Sequence, residues 1–288
     1  MTTRLGVIGH HGYDGLTAIL RLLRQEAPGH GYALRFEDAL LVQAGGGEKL
    51  SRPDQVDALI ALGGDGTLLR AARFLGGARV PVLGVNLGKL GFLTACSHDE
   101  FPEAFAAFAR GEYVVQERMA LDATTVADGG SVGVRLRALN DVVIHKGGFA
   151  RVLRMRVFVD DELISTFAAD GLVIATPTGS TAYSLSASGP IIVPTFDSLI
   201  VTPVAPHTLA LRPTILPPGA VLRVDVDDAP EEVLVTADGQ VGTALGTGQS
   251  LIVRRADAHV LLVQFEQTSF FSRLRRKLHW GGLDERDR

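Results

Sequence analysis

The sequence predicts an α/β N-terminal domain built on a parallel sheet, followed by a mostly β C-terminal domain. Three observations carry this. In the first third, continuous apolar strands alternate with segments of helical period, the pattern of a parallel sheet covered on both faces. After about Met119 the apolar period falls to two, as in sheets with one face in a core. Seven of the 13 prolines lie between Pro190 and Pro218, which suits short extended segments and turns. The expected organisation is 1–118 for the α/β domain, 119–258 for the β-rich domain, and 259–288 as a segment packing back on the first.

Leu5-Gly6-Val7-Ile8 reads as the first buried strand. Leu16, Ile19, Leu20 and Leu23 recur at helical spacing over 16–24. Ala58 to Leu62 is a second apolar strand, and 68–75 a helix closed by Gly76 and Gly77. A third strand is expected over 80–85, then an alanine- and phenylalanine-rich helix over 101–110, stopped by Gly111. In the second half Leu153, Met155, Val157 and Val159 alternate with Arg154, Arg156 and Phe158. Leu222, Val224 and Val226 alternate with Arg223, Asp225 and Asp227. Asp128-Gly129-Gly130 and Asp160-Asp161 are the expected hairpin turns. One helix is expected to interrupt the sheet near 180–188. Val260 to Phe265 fits a last strand of either domain. The stretch 270–280 fits a segment packed on the first domain or on a neighbouring subunit.

Composition excludes several classes. With 28 Lys and Arg against 32 Asp and Glu, the formal charge is -4, so a nucleic-acid partner is not expected. The one dense basic run, 273–277, reads as a solvated or subunit-facing segment. Cys96 is the sole cysteine, which rules out an intrachain disulfide and a cysteine-built zinc site and suits a reducing compartment. The first residues lack the pattern of a signal peptide, and no apolar run approaches the length of a membrane span. A cytoplasmic protein without a membrane partner is the expectation.

Gly63-Gly64-Asp65-Gly66-Thr67 follows a buried strand and precedes a helix. Open α/β sheets place ligands there. Glycines admit a phosphate closely, and the helix start offers free N–H donors. The turn lacks the Gly-Lys-Ser/Thr of a Walker loop and the Gly-x-Gly-x-x-Gly of a dinucleotide fingerprint. Asp65 would repel phosphate unless a metal intervenes or it faces a hydroxyl. The second option makes it the general base, or orienter, for an alcohol attacking a phosphoryl group. The alternative is a tight turn in which Asp65 or Thr67 caps the helix.

Asp170 to Tyr183 is the richest stretch. A short apolar strand runs into Thr176-Pro177-Thr178-Gly179-Ser180-Thr181 and a helix. Small hydroxyls and Gly179 would donate to a diphosphate or ribose, and Tyr183 offers a flat face to a base. An ordinary N-cap is the alternative, although one cap needs one hydroxyl. Asp170 opens the strand, and burial there would demand a partner. Asn140-Asp141 stands at the mouth of an apolar strand, suited either to adenine and ribose or to a simple turn.

Together these stretches resemble the NAD kinase family in order and separation. The match takes in the glycine turn, then Asn86-Leu87-Gly88-Lys89-Leu90-Gly91-Phe92-Leu93, Asn140-Asp141, and Asp170-Gly171 through Tyr183. Pro206-His207, Arg212-Pro213, Asp238-Gly239-Gln240 and Lys277 to Trp280 are similar too. It covers the chain from about residue 58 onward. The glycine turn is shared with lipid kinases and phosphofructokinases, whereas the Thr-Pro-Thr-Gly-Ser-Thr-Ala-Tyr block is specific.

The resemblance implies a Rossmann-like first domain, a β second domain, and a dinucleotide in the cleft between them. It implies ATP as donor with Mg²⁺ or Mn²⁺, NAD as acceptor, and a homodimer or homotetramer. By that analogy Asp65 faces the acceptor 2′-hydroxyl. Phe92, Asn140, Thr181 and Tyr183 contact the adenosine end, and Asp170 and Ala182 lie toward the nicotinamide. Gly63, Gly64, Gly66, Thr67, Asp141, Thr178, Ser186, Asp238 and Gln240 complete the candidate binding set. No residue is assigned to the metal. Two departures stand out. Asp141 replaces the more usual Glu, and Ala168 occupies a position where many members have an Arg able to grip phosphate. A lipid kinase would need an apolar channel and a Gly-Thr-x-Asn-Asp signature. A non-catalytic NAD(P) sensor would have no need of Asp65.

Overall fold

The computed structural model describes residues 2–89, 91–127, 129–147, 152–208, 210–228, 233–246, 248–265 and 269–280. The chain divides into two units, the described residues of Met1–Glu117 with Val260–Arg288, and Arg118–His259.

Unit 1 opens with β1 (Thr3–Gly9), α1 (Leu16–Glu26), β2 (Tyr32–Glu37) and β3 (Glu48–Leu50). It continues with β4 (Ala58–Gly63), α2 (Asp65–Leu75), β5 (Val82–Asn86), the short β6 (Cys96–Ser97), α3 (Phe101–Ala109) and β7 (Val114–Arg118). β1 pairs in parallel with β2 and β4, and β4 with β5. Leu16, Ile19, Leu20 and Leu23 of α1 and Phe101, Phe105 and Phe108 of α3 share a core with Leu83 and Val85 of β5. Gly84 faces the other way, and a Cβ there would lie 2.5 Å from the Leu68 side chain of α2. The sheet is thus covered on both faces. Gly76 closes α2 in the left-handed region, at φ 58°. β2, β3, β6 and β7 were not anticipated. β6 has two residues and β3 three, too few for any period to register, and β7 exposes Val114 and Val115.

Unit 2 runs through β8 (Leu121–Val126), β9 (Val132–Ala138), β10 (Asp141–Lys146), β11 (Leu153–Val159), β12 (Glu162–Ala169) and β13 (Gly171–Ala175). After a 3₁₀ turn at Thr178–Thr181 come α4 (Tyr183–Ser186), β14 (Leu199–Val204), β15 (Thr214–Leu216), β16 (Leu222–Asp228), β17 (Val233–Ala237), β18 (Val241–Leu245) and β19 (Ser250–Arg255). Two sheets form, β15-β14-β13-β10-β17-β18 and β12-β11-β16-β19-β8-β9. The period-two residues Leu153, Met155, Val157, Leu222, Val224 and Val226 meet Val142, Ile144, Leu172 and Ile174 of the other sheet in one core. Asp160 (φ 50°) and Asp161 (φ 67°) make the β11–β12 hairpin turn. Gly129 and Gly130 also have positive φ, while Asp128 lies outside the described residues. The helix expected over 180–188 is corrected to the 3₁₀ turn and one turn of α-helix, because Ala182, at φ -101° and ψ -128°, breaks it and Ser188 turns to φ 67°.

β20 (Val260–Gln264) returns to unit 1, in parallel with β5 and next to β7. α5 (Phe270–Leu278) also belongs to unit 1, with Ser269 capping it through a bond from the Ser272 amide at 3.1 Å. The solvated reading of 273–277 holds for Arg275, Arg276 and Lys277 but not for Arg273, which is buried.

Candidate active site

In unit 1 the carboxyl ends of β1, β4 and β5 lie side by side, since Gly9 pairs with Leu62 and Gly63 with Asn86. The sheet order β3-β2-β1-β4-β5 reverses between β1 and β4, and such a reversal opens a crevice beyond the strand ends. The glycine turn sits there. A Cβ on Gly63 would fall 2.1 Å from the Thr67 hydroxyl, so only glycine fits. Asp65 is the first residue of α2, where the helix dipole favours an anion.

The Asp65 carboxylate does not cap its own helix, and neither does Thr67, for α2 has no side-chain cap. Its Oδ2 accepts from the Phe92 amide at 2.7 Å and its Oδ1 from the Leu93 amide at 3.0 Å. Each oxygen keeps a lone pair for a further donor. A Cβ on Gly91 would lie 2.0 Å from Oδ1, so the loop carrying Phe92 rests directly on the acid. Asn86 shapes that loop by donating to the Gly88 carbonyl and accepting from its amide.

Tyr13, absent from the sequence expectations, belongs to this crevice. It follows β1, its hydroxyl lies 3.5 Å from where a Gly64 Cβ would be, and its ring lies 2.8 Å from where a Gly88 Cβ would be. The available signal was its place in a Gly-Tyr-Asp-Gly loop after a buried strand.

In unit 2, Asp141, Val143 and His145 point to one face of β10, as alternation requires. With Asn140, Ala182, Tyr183, Thr236, Asp238 and Gly239 they line a pocket of about 390 Å³. Asp238, at φ 52° in the turn after β17, accepts from the amides of Leu139 (3.0 Å), Asn140 (2.7 Å) and Asp141 (3.2 Å). It therefore holds the Asn140-Asp141 corner as well as lining the pocket. Asp141 is only 4% exposed. Burial, then the Asp238 charge, push its carboxyl up to about 7, against the pull of the Tyr183 amide.

Several hydroxyls of 176–181 are engaged by the protein itself. Thr176 donates to the Leu139 carbonyl at 2.6 Å and accepts from the Gly179 amide at 3.1 Å. Ser180 donates to the Pro177 carbonyl at 2.7 Å and accepts from the Ile192 amide at 3.0 Å. Thr178 is buried, while Thr181 is half-buried with its hydroxyl 3.3 Å from the Thr178 carbonyl. Thr176 thus ties the turn to the residues just before β10, and Ser180 ties it to itself and to Ile192, because backbone groups so buried need partners. A Cβ on Gly179 would lie 2.0 Å from the Asn140 carbonyl oxygen, so the turn touches β10 backbone to backbone.

Asp170 is half-buried rather than buried, and its partner is the Lys146 ammonium at 2.6 Å. It stands at the opposite end of β13 from the 176–181 turn. Ser186 and Gln240 are exposed. Among the described residues no three His, Cys, Asp or Glu side chains gather as a metal site.

The class of protein that this fold and its relatives define is a phosphotransferase. The family model of the ATP-NAD kinase N-terminal domain matches residues 49–113, and that of the ATP-NAD kinase C-terminal domain matches 139–265. The NAD kinase of Gemmatimonas aurantiaca is 54% identical over 99% of this chain and 98% of its own. That of Syntrophotalea carbinolica is 42% identical over 96% and 99%. The chain belongs to the NAD kinase family. A crystal structure of yeast NADH kinase complexed with NADH superposes with a TM-score of 0.87 at 23% identity, covering 98% of this chain and 89% of that one. An NAD kinase from Archaeoglobus fulgidus in complex with ATP gives 0.74 at 23% identity, covering 96% and 98%. These two share the fold.

Proposed function

We propose that the protein phosphorylates the adenosine-ribose 2′-hydroxyl of NAD with ATP, giving NADP. The observation that carries this is the Asp65 carboxylate, fixed by two loop amides at the β1/β4 crevice with lone pairs to spare. In this reading the 2′-hydroxyl donates to Asp65 and its oxygen attacks the γ-phosphorus in line. The bond to the ADP oxygen breaks as the new P–O bond forms, and the proton passes to Asp65 late. An alcohol gives up its proton far less readily than a carboxylic acid does, so proton transfer cannot lead, and positioning and charge stabilisation dominate. Amides of the glycine turn hold phosphoryl oxygens. Asn140, Asp141, Ala182 and Tyr183, gathered round one pocket, hold the dinucleotide, with Phe92, Thr181 and Asp170 as further contacts.

A divalent cation, Mg²⁺ or Mn²⁺, would offset charge on the ATP phosphates. A donor set without three clustered protein ligands among the described residues suits a cation held chiefly by phosphate oxygens and water. The working form is a cytoplasmic homodimer or homotetramer. No helix of the described residues is long and apolar enough to cross a membrane. The purified protein, given ATP, Mg²⁺ and NAD, should produce NADP, detected by an NADP-specific dehydrogenase. Absence of NADP under conditions where the protein is folded rejects the assignment.

A further inference from the structure

α5 lies far along the chain from the glycine turn, yet one of its side chains reaches the loop that rests on Asp65. Arg273 is 5% exposed. Its Nη1 donates to the Phe92 carbonyl at 2.6 Å and its Nη2 to Gln264 Oε1 at 2.6 Å. Gln264, also buried, turns its Nε2 to the Leu93 carbonyl at 3.4 Å. The Phe92 peptide is therefore gripped from both sides: its N–H is bound by Asp65 and its carbonyl by Arg273. One turn further along α5, the Lys277 ammonium sits 4.7 Å from the centre of the Phe92 ring. Together these contacts fix the backbone and the ring of one residue.

A buried guanidinium is a costly way to fill space. Burial pushes the Arg273 pKa down, partly offset by attraction to Asp65. An apolar side chain of similar volume would pack without that cost, and its use in place of one points to selection of a single arrangement. The planar fork reaches a carbonyl and an amide oxygen at once, which a lysine ammonium does less well.

We propose that Arg273 is a positioning residue for acceptor recognition, holding the Gly91–Leu93 backbone on Asp65 while Lys277 orients the Phe92 ring. The proposal rests on the reading of Asp65 and Phe92 as acceptor contacts. Its signature is one-sided: loosening the clamp disturbs the use of NAD and spares the use of ATP.

The test compares Arg273→Met, Arg273→Lys and Lys277→Gln with the wild type. KM and kcat are measured for NAD and ATP separately, with amide exchange over 87–95. Arg273→Met should lower kcat/KM for NAD by about 10- to 100-fold, since small misplacements cost that much, and leave KM for ATP within about twofold. Amides of 87–95 should exchange faster, and those of α1 at the wild-type rate. Arg273→Lys should recover part of the loss. Lys277→Gln, at an exposed side chain, should raise KM for NAD about threefold. Faster loop exchange with unchanged NAD parameters overturns the proposal and leaves the proposed activity standing. A rise in KM for ATP as large as that in KM for NAD overturns it in favour of a merely structural role. Should Arg273→Met fail to fold, an unchanged KM for NAD in Lys277→Gln overturns it. A wild type that makes no NADP removes the activity itself, and the proposal with it.

Discussion

At the scale of single residues, two acids with the same side chain sit in opposite settings. Asp65 is met by backbone amides, which a charged carboxylate welcomes. Asparagine there would turn its NH₂ toward one of those amides, losing a loop bond as well as the proton acceptor. Asp65→Asn should therefore cut kcat by about 10²–10⁴-fold and also raise KM for NAD, both read from steady-state kinetics. Asp141 faces Asp238 in a buried corner, which holds its carboxyl near 7. An unfolded aspartate titrates near 3.9, so between the two values the folded protein binds the extra proton. Stability from this group is full below about pH 4 and is lost as pH rises through 7. Asp141→Asn cannot ionise, so it should melt higher than the wild type at pH 8, with the gap closing toward pH 5 in thermal scans. Neither setting was legible in the sequence. Asn140-Asp141 could be seen as a polar pair before an apolar strand, but Asp238 reaches it from nearly a hundred residues away.

At the scale of elements, legibility followed period and length. β1, β4 and β5, and the helices α1, α2 and α3, were readable from continuous apolar runs and helical spacing, with glycines closing β4 and α2 and following α3. α2 was placed three residues late, since its first turn is the glycine motif itself and carries weak helix formers. The 176–181 turn was recognised by its residues, and two of its hydroxyls, those of Thr176 and Ser180, are taken up by the protein itself. Hydroxyls suited to a ligand suit a neighbouring carbonyl equally, and the fold supplied the carbonyl. Gly179 is the point where that turn meets β10. A methyl group added there would collide with backbone, which has no rotamer to escape into. Gly179→Ala should lower stability by about 1–3 kcal/mol and weaken NAD binding, as measured by denaturant unfolding and by titration of the dinucleotide.

At the scale of the molecule, unit 2 is one unbroken stretch while unit 1 is assembled from two. The change of period near Met119 lies close to the first junction. The second was ambiguous, because an apolar strand such as Val260–Gln264 fits any sheet with a vacant neighbour. Deleting residues 260–288 should leave a protease-resistant fragment over 118–259, while unit 1, deprived of the strand between β5 and β7, is digested. Equal resistance of both units to limited proteolysis would show that β20 is dispensable.

The place of β20 also sets an order of events during synthesis. Domains commonly fold in the order in which they leave the ribosome. Here unit 1 begins to emerge before unit 2, yet its sheet stays open until β20, which follows unit 2 in the chain, slots in beside β5. The β-sandwich, contained within a single stretch, has everything it needs earlier. The later half of the polypeptide is thus free to mature ahead of the earlier half, whose strand β5 waits for its β20 neighbour.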